Sequence, residues 1–482
     1  MDLTSNDFVI QERGRNKSIA TFSKRDAVKG SGQSRVSIPQ LGQFSNVSSL
    51  RGNEPVAVLL LDASDTDRKD WELAWPQIVS FLRHVDPAKH LAVYSFDPVH
   101  GLEVLQDYDT GHENLLKALQ DTRPTLSTLL QQPGQDAPDR APSLLRRDEE
   151  MSRPELLSLG RLQSLEGILQ VIANHLADIA GTKSLIWFAS RIPNPFEPVD
   201  SRNPVLELYR LKLLRAVSSL LSHNVTIYPV DARGLMPDHT FDAENGIIRT
   251  GPVDPREQNP LGLYDFSGFL ELAERSGGKA YTNTNGFVQA FGDIASLAEG
   301  SYTLGFYVSD PPDNKFHSLR VLSKRDGVRL RYRPGYWNFS AAANDSIEAE
   351  QELKAALDSP FTASAIALQA SAEHLPPNSR IQTSLYLDPV NLTLNQDGDR
   401  WKGSVTVICG QKDNRKRVFA TPPRETPIEL PDGVRKSGEW LKLQIPITLR
   451  GESETIRIAV RDDQSGRIGS IDMLLRAVNP QR

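Results

Sequence analysis

The sequence predicts an α/β chain, in which a doubly wound, mainly parallel sheet is followed by a C-terminal all-β, sandwich-like domain. Three observations carry this expectation. From Val56 to Gly278, short apolar runs alternate with stripes of apolar residues at helical spacing. The runs are continuously apolar, as strands covered on both faces must be. Beyond Ala349 the helical stripes give way to period-two runs separated by turn residues.

The elements follow in order. Phe8–Ile10 and Ile19–Phe22 read as short strands, and residues 1–22 as the remnant of an N-terminal β module. Residues 23–53 are polar, centred on Lys29-Gly30-Ser31-Gly32, and read as a linker. That stretch lacks the third glycine and the following helix of a phosphate loop. Residues 54–340 form the α/β domain. Val56–Leu61 is its first buried strand, followed by a helix marked by Trp71, Trp75, Ile78, Leu82 and Val85, and then by Leu91–Phe96. A strand near Leu102–Leu105 and a small helix at Leu115–Leu119 come next. Residues 122–151, rich in Pro, Gln and Asp, read as an insertion. Leu162, Leu165, Leu169, Ile172, Leu176 and Ile179 make a long helical stripe that Gly181 ends.

Leu185–Ala189 and Val225–Val230 are further strands around a helix at Val205–Leu221, and Phe266–Arg275 is a helix stopped by Gly277-Gly278. Tyr302–Val308, Leu319–Leu322 and Val328–Tyr332, with a turn at Asp326-Gly327, are expected to extend the sheet antiparallel. Residues 341–348 read as a hinge. Residues 349–482 read as a β-sandwich domain, with a short helix at Ala349–Leu357 and strands at Ala363–Gln369, Ile381–Leu387, Trp401–Ile408, Trp440–Thr448, Thr455–Val460 and Ile468–Leu474.

Composition narrows the function. With 55 Lys and Arg against 61 Asp and Glu, the net charge of −6 argues against nucleic acid or an anionic membrane as partner. The single cysteine, Cys409, excludes an internal disulfide framework and a thiolate metal site. No run approaches the ~20 apolar residues of a membrane span. The nine histidines show no H-E-x-x-H spacing, and no G-x-S-x-G elbow occurs.

Chemistry is expected at the carboxyl ends of the strands, where open α/β sheets bind ligands. Asp62-Ala63-Ser64-Asp65-Thr66 follows the first strand, and one carboxylate with two hydroxyls on a tight loop suits a hard cation such as magnesium. The other reading is structural, with Ser64 and Thr66 bonding backbone or capping the next helix. Asp231 and Arg233, after a later strand, are either further ligand-face residues or a structural turn.

Several segments together resemble the acidobacterial VWFA-related domain family, whose members carry a von Willebrand factor type A-like domain. These are LTSNDFVIQERGRNKSIATF, PVAVLLLDAS, GTKSLIWFAS, VTIYPVDARGL, LAERSGGKAYTNTN, SYTLGFYVSDPPDNKFHSLRV, VRLRYRPGYW and IRIAVRDDQSGRIGSIDMLL, in that order. The resemblance implies a sheet of von Willebrand factor type A type and a metal-dependent adhesion site beginning Asp-x-Ser-x-Ser/Thr. Asp62, Ser64 and Thr66 match that start. Ser190 and Arg191 stand where the family's aspartate and glycine would be, and Arg161 lies nearest the place of its second-loop threonine, with Asp97 and Thr110 as other neighbours. The expected site is therefore degenerate, with at most weak magnesium binding and no other cofactor. The expected function is non-enzymatic protein–protein interaction or adhesion with a protein partner of unknown identity. The alternative is a metal-dependent hydrolase or phosphotransferase using Asp62. A haloacid-dehalogenase nucleophile would want a second carboxylate where Ser64 stands. In the family the segment beginning at Leu3 lies inside a β module preceded by an export signal. The resemblance thus favours an N-terminally truncated chain that works outside the cytoplasm, periplasmic or secreted, over the alternative of a cytoplasmic variant.

Overall fold

The structure is a computed structural model that describes residues 3–24, 43–48, 50, 55–64, 66, 68–85, 90–97, 101–108, 153–181, 183–197, 204–235, 267–297, 302–308, 310–339, 346–375, 380–415, 417–437, 439–450 and 453–475. The expected helix at residues 115–119, the insertion 122–151 and Thr110 lie outside them. The chain begins with β1 (Phe8–Glu12), β2 (Arg15–Lys17), β3 (Thr21–Lys24) and β4 (Gln43–Ser45). Next come β5 (Val56–Asp62), α1 (Arg68–His84), β6 (His90–Asp97), β7 (Gly101–Gln106), α2 (Arg153–His175), β8 (Lys183–Ala189), α3 (Pro204–Ser222), β9 (Val225–Asp231), α4 (Ser267–Ser276) and α5 (Phe287–Leu297). Then follow β10 (Tyr302–Gly305), β11 (Phe316–Ser323), β12 (Gly335–Trp337), α6 (Ser346–Asp358), β13 (Leu368–Leu375), β14 (Arg380–Leu387) and β15 (Asn395–Asp397). The last elements are β16 (Arg400–Asp413), β17 (Val418–Ala420), β18 (Arg424–Pro431), α7 (Asp432–Ser437), β19 (Leu441–Thr448), β20 (Ser453–Asp462) and β21 (Ile468–Leu474).

The expected fold class needs correction. The structure is mostly β, 42% strand against 28% helix. Four of its five sheets contain antiparallel pairs alone among the described residues. A doubly wound parallel sheet therefore does not describe this chain. Among the described residues, parallel strand pairing is confined to one five-stranded sheet, order β7-β6-β5-β8-β9, in which β7 is antiparallel. Nor do the strands after α5 extend that sheet. β10 pairs with β3, and β11 pairs with β1 and β12, forming separate small sheets with the N-terminal strands. Val328–Tyr332 is not a strand; the partner of β11 is β12. The physical reason lies in the connections: an antiparallel pair needs no crossover and can join segments far apart in the chain, as β1 with β11 and β3 with β10 do, whereas each parallel pair of the five-stranded sheet is linked through a helix.

Alternation sets the two faces of the five-stranded sheet. Val58 and Leu60 pack with Tyr94, Trp187 and the apolar stripes of α2 and α3, including Leu165, Leu169, Leu213 and Val217. Leu59 and Leu61 point the other way, to Trp71 and Ile78 of α1 and Phe287 and Phe291 of α5.

The C-terminal sandwich sets the sheet β19-β14-β13-β4 over the sheet of β15, β16, β20 and β21, with β17 and β18 on the outer side of β16. Leu385, Val407, Ile458 and Met473 fill the space between them. Ile408 and Ala459, of opposite parity, face Leu353 and Leu357 of α6 on the outside. The strand β4, from within the stretch expected as linker, completes the first sheet against β13.

Candidate functional site

The carboxyl ends of β5, β8 and β9 meet at one edge of the five-stranded sheet, because the three strands are parallel and in close register. β5 and β9 end in aspartates, and Ser190 follows the end of β8. Asp62 closes β5 and is 2% exposed. Its Oδ1 accepts the Ser64 N–H (2.9 Å) and the Ser64 hydroxyl (2.5 Å), and its Oδ2 accepts the indole N–H of Trp187 on β8 (3.0 Å). Thr66 is buried; its hydroxyl donates to the Asp62 carbonyl (2.7 Å) and accepts from the Ser190 N–H (3.2 Å). The Ser190 hydroxyl donates in turn to Asp70 of α1 (2.6 Å).

Asp231 closes β9, 1% exposed. Its Oδ1 accepts from the Arg233 N–H (3.0 Å) and Nε (2.8 Å), and its Oδ2 from the other guanidinium arm (2.7 Å). This hydrogen bond to Asp231 raises the pKa of Arg233 against the opposing effect of part burial, and the charges of Asp231 and Asp70 add to it. Gly234 turns the chain at φ +70, a region that favours glycine, and the next N–H, of Leu235, donates to Asn285 Oδ1 (2.8 Å). The loop after β8 is pinned as well. Asn194 donates to Ser267 (2.6 Å), and the buried Arg210 of α3 donates to the Pro195 carbonyl (2.6 Å) while paired with Glu207.

Asp62, Ser64 and Thr66 are thus brought together, and Asp231 with Arg233 stands at the same edge. Asp97 ends β6 beside them, since Phe96 registers with Asp62. Arg161 is on α2 and Arg191 follows β8. Asp65 lies outside the described residues. The donor set does not fit a divalent cation as it stands. Both oxygens of Asp62 already accept hydrogen bonds from the chain, and the Thr66 hydroxyl both donates and accepts one. Sequence reasoning placed Trp187 only within the strand Leu185–Ala189 and missed both its bond to Asp62 and the Asp70–Ser190 bond. A tryptophan inside a strand next to an acid-terminated one was the available signal for the first; nothing in the spacing marked the second.

A second polar cluster, also missed, lies on the small sheet of β1, β2, β11 and β12. Glu12, Asp310 and His317 bring ligand-type atoms within 4.8 Å of one another. Glu12 is already engaged: Oε2 pairs with Lys17 (2.7 Å), and Oε1 accepts from the Tyr336 hydroxyl and lies 2.8 Å from His317 Nδ1. Burial works to raise its pKa, but the bonds from Lys17, Tyr336 and His317 outweigh burial and bring it down to about 2.

No family model matches the chain, and no curated protein matches it, so the segment resemblance has no family-level match behind it. Among solved structures, the chain is similar to proximal thread matrix protein 1 from the mussel byssus, described with a zinc-occupied MIDAS motif. Identity is 11%, covering 51% of this chain and 47% of that one, at TM-score 0.25. The PilB minor pilin from Streptococcus sanguinis gives 12%, 52% and 62%, at TM-score 0.25. The SpaC pilus adhesin from Lactobacillus rhamnosus GG gives 8%, 97% and 57%, at TM-score 0.26. The chain spans about half the length of the mussel protein. Scores this low bear on neither the fold nor the activity of this chain.

Proposed function

We propose that the chain is a non-enzymatic protein-binding module whose contact face is the strand-end edge described above. The observation that carries this reading is a pair of exposed leucines, one on helix α1 and one on the anchored loop after β9. Leu235, 57% exposed, follows the Asp231–Arg233 turn, and Leu73 of α1, 43% exposed, lies beside that turn, 3.1 Å from where a side chain at Gly234 would begin. Apolar side chains held out by a stiff frame lose little entropy on docking, which is what a contact residue requires. In this reading Asp62 and Asp231 are anchors for the frame rather than reacting groups, and no cofactor takes part. No helix among the described residues is long and apolar enough to cross a membrane. A site of action outside the cytoplasm is part of the proposal and is supported by the segment resemblance.

The test compares the full chain with a Leu73→Asp/Leu235→Asp double variant, both immobilised and exposed to a cell-envelope extract, with folding checked by circular dichroism. Specific capture by the first and its loss in the second is the expected result. Equal capture by both, or magnesium-dependent hydrolysis of a phosphate ester that Asp62→Asn abolishes, would overturn the reading.

A further inference from the structure

The C-terminal sandwich is open along one side. β19 is the edge of one sheet, and β17 and β18 are the edge of the other. Between these edges runs a groove of about 730 Å3, within the ~300–1,000 Å3 typical of small-molecule sites. Its floor is apolar. Cys409 of β16 is buried there, while Leu443 and Ile445 of β19 face the core but stay half-buried. One end is shut by Gln411, whose amide donates to the Thr448 carbonyl (2.8 Å) and accepts from the Arg450 N–H (2.9 Å) and the Ser453 hydroxyl (3.0 Å). Lys442 stands at the opposite end of β19, and Arg424, which opens β18, registers with Val407.

Charge and backbone chemistry narrow the occupant. Lys442, Arg424 and Arg450 line the groove and no carboxylate does, although the chain as a whole is acidic. Lys442 stands only at the rim, on the outer face of β19, with its ammonium over the Tyr386 ring (5.7 Å), whereas Arg424 shares the core-facing side of β18 with Ile428 and Leu430 and has no carboxylate partner among the described residues. An added peptide strand is a poor fit, because Pro446 within β19 and Pro427 within β18 lack the N–H that strand addition uses.

We propose that this groove binds a single-chain anionic amphiphile of the fatty-acid type. The acyl chain lies on Leu443, Ile445 and Cys409, and the carboxylate sits against Arg424. The site is separate from the strand-end face and independent of its reading. The experiment displaces a fluorescent fatty acid from the full chain with laurate, dodecanol or a hexaglutamate peptide, each below its aggregation limit. It is repeated on an Arg424→Glu variant, whose change is exposed and outside the packed core, and on Ile445→Trp, which fills the groove. Laurate is expected to displace the probe, with about tenfold weaker binding for dodecanol and for both variants. Failure of laurate to displace, equal potency of dodecanol, unchanged affinity in the charge-reversed variant, or stronger displacement by hexaglutamate would each overturn the proposal.

Discussion

Asp62 at the end of β5 and Glu12 at the end of β1 are both 2% exposed, and the chain satisfies them differently. Asp62 receives neutral donors on both oxygens, from Ser64 and the Trp187 indole. Glu12 receives a lysine ammonium, a tyrosine hydroxyl and an imidazole. His317 also presents Nε2 to Asp313 (3.1 Å), so the ring faces a carboxylate at each nitrogen. Neutral donors suit a loop that must hold one shape. Charged partners suit a small sheet that has little apolar core and must join distant segments, since Glu12 and His317 are far apart in sequence. Glu166 of α2 shows a third solution. Burial, with Glu352 and Glu348 nearby, raises its pKa to about 7 despite the opposing charge of Lys212, so it stays protonated over much of the range in which an ordinary glutamate is charged.

The largest effect is expected at the ion-paired cluster. Glu12→Ala strands Lys17, His317 and Tyr336 and should cost about 3 kcal/mol in urea denaturation. Because the folded pKa of Glu12 is depressed, its contribution is present above the unfolded value of 4.5 and is lost as pH falls through about 2. An acid titration of stability should be shallower in that window for the variant; equal slopes would place the charge elsewhere. The next effect separates the neutral case. Trp187→Phe keeps the ring in the core but removes the indole donor, and should cost ~1–3 kcal/mol, with a slope at low pH like that of the parent.

Glu166→Gln should run in the opposite direction. A raised carboxyl binds its proton more tightly when folded, so the parent loses stability as pH rises from 4.5 through about 7. The glutamine variant should be more stable by about 2 kcal/mol at pH 8 and indistinguishable at pH 4, as read by thermal melts. The smallest effect concerns metal. With the oxygens of Asp62 and Thr66 already used, magnesium or EDTA should leave the melting temperature unchanged, and calorimetry should find no site tighter than about millimolar. A micromolar site lost in Asp62→Ala would show that the loop reopens for a cation.

The sequence by itself determined most element positions, because burial on both faces writes a continuous apolar run and burial on one writes a period. Val56–Asp62, Lys183–Ala189 and Val225–Asp231 were legible for that reason, as were Pro204–Ser222 and the period-two strands after α6. It also placed Asp62, Ser64 and Thr66 on one loop, since neighbours within five residues need no tertiary contact to meet. Pairing was decided only by the tertiary structure. Phe8–Glu12 and Phe316–Ser323 carry the same pattern whether they extend a parallel sheet or pair with each other, and hydrogen bonds between strands leave no mark on side-chain period. That ambiguity concealed the separate small sheets and the largely antiparallel character of the chain. The partners of Asp62 and Glu12 were hidden for the same reason. Trp187 and His317 lie 125 and 305 residues away from them, and only packing brings a donor across that distance.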